Sequence, residues 1–231
     1  MAGCCDPGEY GEVFGTAFSR RMARRYRRRG LDETATRLVE ILAADAITGA
    51  TVLEIGVELL RRGAASVVSL ELSSEYDGEA RRLATEAGVA ARVERRIVDI
   101  AATPEQVDAA DLVVLHRVVC CYPDYERLLG AAADRCRRRI AFSHPPRNVL
   151  TRGLTTAENL GRRMTGRNFR VYAHPPDAMV AAVARRGLRP VVTHRGALWH
   201  VQGLARTSSR VTPRIASFEA SSADRRSEDS T

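Results

Sequence analysis

The feature that most constrains the fold of this 231-residue chain is an apolar strand that leads through one glycine straight into a helix. Residues 51–55 read Thr-Val-Leu-Glu-Ile, Gly56 follows, and residues 57–62 have a helical pattern. A strand joined to the next strand by a helix indicates a parallel sheet, because parallel neighbours need a crossover connection. Ten residues lie between Gly56 and Val67 in the next apolar run, whereas a crossover commonly takes about a dozen. The connection is therefore barely long enough.

Strand and helix patterns alternate along most of the chain. The predicted strands are residues 51–55, 66–72, 93–98, 111–116, 139–143, 189–193 and 197–205, and the predicted helices are 31–44 with Asp32 as N-cap, 57–62, 74–87, 104–109, 125–138, 149–165 and 175–186. The last two strands, joined by a turn at 194–196, should pair as an antiparallel hairpin. The predicted fold class is α/β: a Rossmann-like, mostly parallel seven-stranded sheet with helices on both faces and a C-terminal antiparallel hairpin.

Length and composition predict one main domain, since 231 residues that are 45% hydrophobic can form a substantial core. We expect a helical segment over the ligand cleft in residues 1–46, the α/β domain in 47–206, and a disordered, Ser-rich tail in 207–231. No stretch approaches the ~20 consecutive apolar residues of a membrane span, and residues 1–6 lack the pattern of a signal peptide. We therefore expect a cytoplasmic protein with no membrane partner. The sequence does not indicate its oligomeric state.

The formal net charge of +8 is typical of a protein with a nucleic-acid partner. All 36 basic residues are arginine, however, and such one-sided usage can reflect codon composition as much as recognition. The densest basic run, residues 20–29, belongs to a predicted helix with Phe14, Phe18, Met22 and Tyr26 at helical spacing. This pattern is typical of an amphipathic helix with a solvated basic face, and a surface for an anionic substrate or RNA is the alternative. Neither aromatic residues interleaved with the basic ones nor zinc-finger spacing supports nucleic acid. We expect no nucleic-acid partner.

The five cysteines do not have the spacing of a metal site. Cys4, Cys5, Cys120, Cys121 and Cys136 form neither a Cys-x-x-Cys pair nor a Cys/His quartet, so we predict no metal. Packing as small buried apolar side chains is the main interpretation. A soft-metal or redox site is the alternative, if the N-terminal segment brings Cys4 and Cys5 to Cys120 and Cys121.

Carboxylates stand at the ends of two predicted strands. In an open α/β sheet, the ligand lies at the carboxyl ends of the strands. Glu71 ends the second strand, where a carboxylate can accept hydrogen bonds from both ribose hydroxyls of an adenosine group. Asp99 follows the third strand and is positioned for an adenine amino group. Each carboxylate could instead cap the following helix.

The order of these elements, with Glu54 and Gly56 after the first strand and the final hairpin, resembles the class I S-adenosylmethionine-dependent methyltransferases over residues 31–206. Residues 116–125, which include Cys-Tyr-Pro-Asp at 121–124, and the N-terminal helices are most similar to small-molecule methyltransferases near the magnesium-protoporphyrin O-methyltransferase group. The resemblance implies S-adenosylmethionine as cofactor and a small-molecule methyl acceptor as partner.

The resemblance also implies individual roles. Glu54 and Gly56 would lie under the methionine portion of the cofactor, and Glu71 would bind the ribose. Asp99 and Ile100 would flank the adenine. His116 would be a catalytic base beside the transferred methyl group, and Tyr122 would orient the acceptor. A histidine that closes a buried strand can also simply be hydrogen-bonded in place. His144 and His174 each precede two prolines, and stiff turn geometry explains them equally well.

The loop after the first strand departs from the family pattern. Family members normally have at least two further glycines there, whereas this chain passes directly from Gly56 to the β-branched Val57 and the acidic Glu58. We predict that the sheet forms but that cofactor affinity is reduced. A non-catalytic binding module on the same fold is the second interpretation. A nucleotide-dependent oxidoreductase is the third, although the chain lacks G-x-G-x-x-G and has the terminal hairpin.

Overall fold

The computed structural model describes residues 13–45, 47–53 and 56–206. Its helices are α1 (Thr16–Arg29), α2 (Glu33–Leu42), α3 (Val57–Arg61), α4 (Asp77–Glu86), α5 (Tyr125–Asp134), α6 (Val149–Met164) and α7 (Pro176–Ala184). Its strands are β1 (Thr51–Leu53), β2 (Ser66–Glu71), β3 (Val93–Ile97), β4 (Ala110–Leu115), β5 (Cys136–His144), β6 (Leu188–Arg195) and β7 (His200–Arg206). Short 3-10 turns occupy Ser74–Tyr76, Ala90–Arg92, Pro104–Gln106 and Val119–Cys121.

The strands form one seven-stranded sheet in the order β3-β2-β1-β4-β5-β7-β6. The first five strands in this order run parallel, and β7 is antiparallel to both β5 and β6. The order reverses at β1, where β2 lies on one side and β4 on the other. The predicted α/β fold with a C-terminal antiparallel hairpin is confirmed, and the reversal creates the crevice in which such sheets bind ligands.

The sheet has a hydrophobic core on each face. One core joins the sheet to α5 and α7 through side chains that include Leu128, Leu129 and Met179. The other joins it to α2, α3 and α4 through side chains that include Leu38 and Leu59. Because apolar side chains cover both faces, the central strands are almost continuously apolar, as the run in β4 indicates.

Several predicted boundaries are confirmed and others need correction. Asp32 caps α2 by accepting a hydrogen bond from the amide of Ala35 at 2.9 Å. The helix predicted to extend to residue 138 ends at Asp134, because residues 136–138 already belong to β5. The helix predicted at 104–109 is only a 3-10 turn. The hairpin turn lies at residues 196–199 rather than at 194–196, since Gly196 donates its amide hydrogen bond to the carbonyl of Trp199.

Two glycines allow close approach between elements. A Cβ on Gly56, before α3, would lie 2.5 Å from Cγ1 of Val67 in β2. A Cβ on Gly203, in β7, would lie 2.5 Å from Cγ2 of Ile41 in α2. Any larger residue at these positions would push the two elements apart, because real Cβ contacts are longer than this.

Helix α1 packs beside the carboxyl end of β2. Its Thr16 hydroxyl donates to Glu75 at 2.8 Å, and Arg27 makes two 2.8 Å hydrogen bonds to Glu86. Phe18 lies against Tyr76, with ring centroids 6.3 Å apart. The predicted placement of residues 1–46 over the cleft stays a prediction. Residues 1–12 and the predicted tail, 207–231, lie outside the described residues.

No helix in the described ranges is long and apolar enough to cross a membrane.

We expect Gly203→Ala to lower the free energy of unfolding by about 1–2 kcal/mol, because the added methyl group overpacks the contact with Ile41. Gly153→Ala, in the exposed part of α6 where a Cβ meets no atom within 4 Å, is the matched control. This control should be neutral or stabilising by up to about 1 kcal/mol, because alanine favours helix. Urea denaturation of both variants measures the difference, and equal stabilities would contradict the close contact.

Candidate cofactor and acceptor cleft

The carboxyl ends of β1 to β4 surround a cavity of about 60 Å³. Its lining is mostly apolar, and its only polar residues among those described are Glu71, Asp99 and Tyr122. Ile100 also lines it. The fold thus brings together four of the residues that the sequence marked as site residues, from the ends of β2, β3 and the segment after β4.

Glu71 is held by an arginine of the neighbouring strand. Arg95 in β3 donates to Oε1 of Glu71 at 3.3 Å, to Asp77 at 2.9 Å and to the Ser69 hydroxyl at 3.2 Å. Burial raises the pKa of Glu71, and the positive charge of Arg95 partly offsets this effect. In the described part of the chain, Oε2 has no hydrogen bond, so one oxygen remains to accept from a ligand hydroxyl.

Asp99 combines the capping role and an orientation toward the cavity. Its Oδ1 accepts hydrogen bonds from the amides of Ala101 at 2.9 Å and Ala102 at 3.3 Å. Its Oδ2 accepts from the Tyr122 hydroxyl at 3.0 Å. Tyr122 therefore fixes Asp99, and both side chains face the same end of the cavity.

His116 lies outside that lining, in a second group that we call the Asp32 cluster: Asp32, His116, Arg117 and Trp199. Arg117 donates to Oδ2 of Asp32 at 2.7 Å, and its guanidinium lies 4.9 Å from the centroid of the Trp199 ring. His116 Nε2 is buried, has no hydrogen bond to the described residues, and lies 4.0 Å from Oδ1 of Asp32. These contacts join the start of α2 to the end of β4 and to the β6–β7 turn.

Burial, and then the charge of Arg117, lower the pKa of His116 to about 4. The imidazole is therefore neutral at neutral pH, and it is a weaker base than its ordinary pKa of 6.5 suggests. Its role as catalytic base stays a prediction.

Arg117 has an unusual backbone conformation for a residue with a side chain, with φ at 58°. Its amide donates to the Ser143 hydroxyl at 2.8 Å, which ties the end of β4 to the end of β5. A left-handed conformation in a long-chain residue is a local strain that such anchoring contacts hold in place. No sequence pattern signals this conformation.

Cys120 and Cys121 lie in the turn after β4, with their sulfur atoms 3.6 Å apart. The hydrogen bond between the two thiols lowers the pKa of Cys120 and raises that of Cys121. No cluster of three or more metal-ligating side chains occurs among the residues that the structure describes. Cys4 and Cys5 lie outside those residues, so the alternative of a shared four-cysteine site stays a prediction.

Two further histidines at this edge, His144 and His174, have structural contacts. His144 is buried and its Nδ1 lies 2.9 Å from the Pro145 carbonyl, while His174 Nε2 lies 2.9 Å from the Tyr122 carbonyl. Desolvation is the largest influence on both, and it lowers the pKa of each. His174 lies in the loop before α7, whereas His144 is the last residue of β5 and pairs with His200 of β7, so the interpretation of His144 as a turn residue needs correction.

The proposed methionine end of the site is only partly described. Glu54 lies outside the described residues. Gly56 stands before α3 and packs against Val67, and it does not line the cavity. Sequence reasoning missed Arg95 and Arg117. Only Arg95 has a sequence signal, because it is a charged residue inside a predicted strand. The structure pairs it with Ser69, two residues before Glu71 in the neighbouring strand.

No protein-family model and no curated protein sequence matches the chain. Solved structures do match it. Magnesium protoporphyrin IX methyltransferase from Synechocystis PCC 6803, with bound SAH, is 21% identical, with a TM-score of 0.67 over 87% of this chain and 100% of that protein. An O-methyltransferase family protein from Burkholderia thailandensis is 18% identical, with a TM-score of 0.62 over 84% of this chain and 60% of that protein.

A third structure, an O-methyltransferase family 2 protein from Planctomyces limnophilus DSM 3776 in complex with apigenin, is 16% identical, with a TM-score of 0.61 over 83% of this chain and 61% of that protein. The strand order and these likenesses define the class I methyltransferase fold. The Synechocystis enzyme is matched along its whole length. The resemblance to small-molecule methyltransferases is confirmed at the level of the fold.

We expect the buried, neutral His116 to destabilise the protein in acid. Below about pH 6.5 the unfolded chain binds a proton at His116 that the folded chain binds only near pH 4. The free energy of unfolding should therefore fall as the pH drops from 6.5 to 4, by up to about 3 kcal/mol from this group. His116→Gln should flatten that part of the stability profile, as measured by urea denaturation at several pH values. An unchanged slope would contradict the neutral state of His116.

Proposed function

We propose that this chain is an S-adenosylmethionine-dependent methyltransferase that acts on a small-molecule acceptor and binds its cofactor weakly. The observation that carries the proposal is the pair of carboxylates, Glu71 and Asp99, on the wall of one cavity at the strand-order reversal. Their positions suit the ribose and the adenine of an adenosine group. The Synechocystis enzyme, which has this fold, is solved with SAH bound.

The donor set fits the adenosine half of the cofactor. Glu71 offers a carboxylate oxygen toward the cavity, Asp99 presents Oδ2 beside Tyr122, and Ile100 supplies an apolar wall for a purine ring. The bound cofactor would supply a methyl group on a sulfonium, which is displaced in line by the acceptor. The chain's own task is then to align the reactants and to exclude water.

The acceptor side is built from the ends of β4 and β5. His116, neutral at neutral pH, can take a proton from an acceptor hydroxyl only weakly, because its pKa is about 4. Tyr122 is oriented by Asp99 through its hydroxyl, so it would position groups by its ring and its hydrogen bond. We therefore propose positioning as the main contribution of this chain and proton removal by His116 as a smaller one.

Weak cofactor binding is supported by the size of the cavity. Ligand pockets commonly measure about 300–1,000 Å³, whereas this cavity holds about 60 Å³. The tight packing of Gly56 on Val67 and the five-residue α3 support the same proposal, because there is no glycine-rich loop to receive the methionine portion.

A non-catalytic binding module is the second candidate function. The small cavity and the low pKa of His116 favour it, because a module that performs no methyl transfer needs neither a full cofactor site nor a base. Cofactor binding and turnover distinguish the two candidates.

We expect S-adenosylmethionine to bind the purified chain, and Glu71→Ala to weaken that binding by about tenfold or more through loss of a charged acceptor for the ribose. Glu75→Ala is the matched control, since Glu75 lies four residues away and contacts Thr16 of α1 rather than the cavity. Isothermal titration of the folded proteins measures both affinities. Absence of binding by the parent chain would favour the non-catalytic module, and equal affinities of the two variants would place the cofactor elsewhere.

We expect Tyr122→Phe to weaken cofactor binding by about two- to tenfold, because Asp99 loses one hydrogen bond that orients it. Tyr125→Phe is the control, because the Tyr125 hydroxyl contacts only the exposed side chain of Glu126 among the described partners. The same titration measures both, and thermal unfolding checks that each variant is folded. Identical affinities would remove Tyr122 from the cofactor site.

A further inference from the structure

Helix α6 presents its apolar face to solvent. Apolar residues of this helix are highly exposed: Val149 87%, Leu150 70%, Leu154 62%, Leu160 57% and Met164 81%. At 100° per residue these positions fall within one stripe about 140° wide, and Gly153, Ala157 and Gly161 fill the spaces between them. No charged residue lies in the stripe.

The side of α6 that faces the protein is polar. Asn159 donates to the carbonyl of Val171 at 2.8 Å and accepts from its amide at 2.9 Å. Arg162 bonds Glu158 at 2.6 Å and lies 5.0 Å from the centroid of the Phe169 ring. This arrangement inverts the usual orientation of an amphipathic helix, whose apolar stripe faces the core. The exposed stripe therefore marks an interaction surface.

Positive charge flanks one long side of this stripe and its two ends, while Glu158, which is paired with Arg162, flanks the other long side. Residues 147–167 contain five arginines, at 147, 152, 162, 163 and 167, and a single acidic residue, Glu158. Arg152 and Arg163 project from the exposed polar side of α6, while Arg147 and Arg167 stand just before and after the helix. An apolar stripe with cations along one side and at both ends, and with its one neighbouring acid paired to Arg162, is complementary to a surface that is apolar inside and anionic at its border.

We propose that α6 binds the surface of an anionic phospholipid bilayer and lies in the plane of that surface. Its 16 residues extend for ~24 Å, less than the ~30 Å of a hydrocarbon core, so the helix suits an orientation along the bilayer. Leucine, valine and methionine side chains would enter the acyl boundary, and the arginines would contact lipid phosphates. This inference is independent of the proposed methyltransferase function.

A second copy of the chain fits the stripe less well. A helix face of this length and ~10 Å width offers about 250 Å² per partner, well below the about 600 Å² per partner of the smaller stable interfaces. Two copies would also bring together surfaces of the same charge, because each chain carries a net charge of +8. An anionic bilayer, in contrast, carries the opposite charge to the chain and offers the apolar stripe a larger apolar volume.

Co-sedimentation with vesicles tests the proposal. The full-length chain should bind vesicles of phosphatidylcholine and phosphatidylglycerol, bind those of phosphatidylcholine alone at least about tenfold more weakly, and dissociate in high salt. Leu154→Gln with Leu160→Gln should reduce binding to the anionic vesicles about tenfold or more, because two apolar side chains no longer enter the bilayer. Thr156→Gln, on the exposed polar side of α6, is the control and should bind as the parent does.

Each outcome of the experiment is informative about α6. Circular dichroism and thermal unfolding should show the same fold for all three proteins, since every substituted residue is exposed. Binding by the double variant equal to that of the parent, or no binding by the parent, would overturn the proposal. A concentration-dependent dimer of the parent that the double variant abolishes, without vesicle binding, would assign the stripe to a second copy instead.

Discussion

The contact between Gly56 and Val67 sets how β1 is connected to β2, and the geometry of the cleft depends on that connection. Because glycine has no Cβ, the chain can turn into α3 directly above β2. Helix α3 has only five residues, and β1 and β2 still pair in parallel from Thr51 opposite Ser66. The sheet thus keeps its order, and Glu71 keeps its place at the carboxyl edge. The shortened connection therefore leaves the strand order and the parallel pairing intact.

The fold was predictable because its signals are local. The apolar run of β4, the N-cap at Asp32 and the alternation of strands with helices each depend on a few neighbouring residues. The errors occur where pairing with a strand distant in sequence, rather than the local sequence, determines the secondary structure. Residues 136–138 continue a helical pattern, yet they pair with β4 through Cys136 opposite Ala110, so tertiary contacts override local preference.

Four of the predicted site residues, Glu71, Asp99, Ile100 and Tyr122, line one cavity. Glu71 and Asp99 follow from the rule that ligands bind at strand ends, and the structure places both on one cavity. The same rule could not predict contacts between residues that are distant in sequence: Arg95 with Glu71, Tyr122 with Asp99, and Asp32 with His116.

The outward-facing apolar stripe of α6 was not predicted for a different reason. Periodicity shows that a helix is amphipathic but not which face meets the core, and a search for long apolar runs misses a short stripe.

The two edges of the sheet carry features that limit its growth. Strand β6 forms one edge, where Pro190 lacks an amide hydrogen and stands at an irregularity in the pairing with β7. Strand β3 forms the other, with the charged side chains of Glu94 and Arg96. Such edges pair poorly with the strands of other molecules. The protein should therefore resist edge-to-edge aggregation at high concentration, although Val191 and Val192 are exposed in β6.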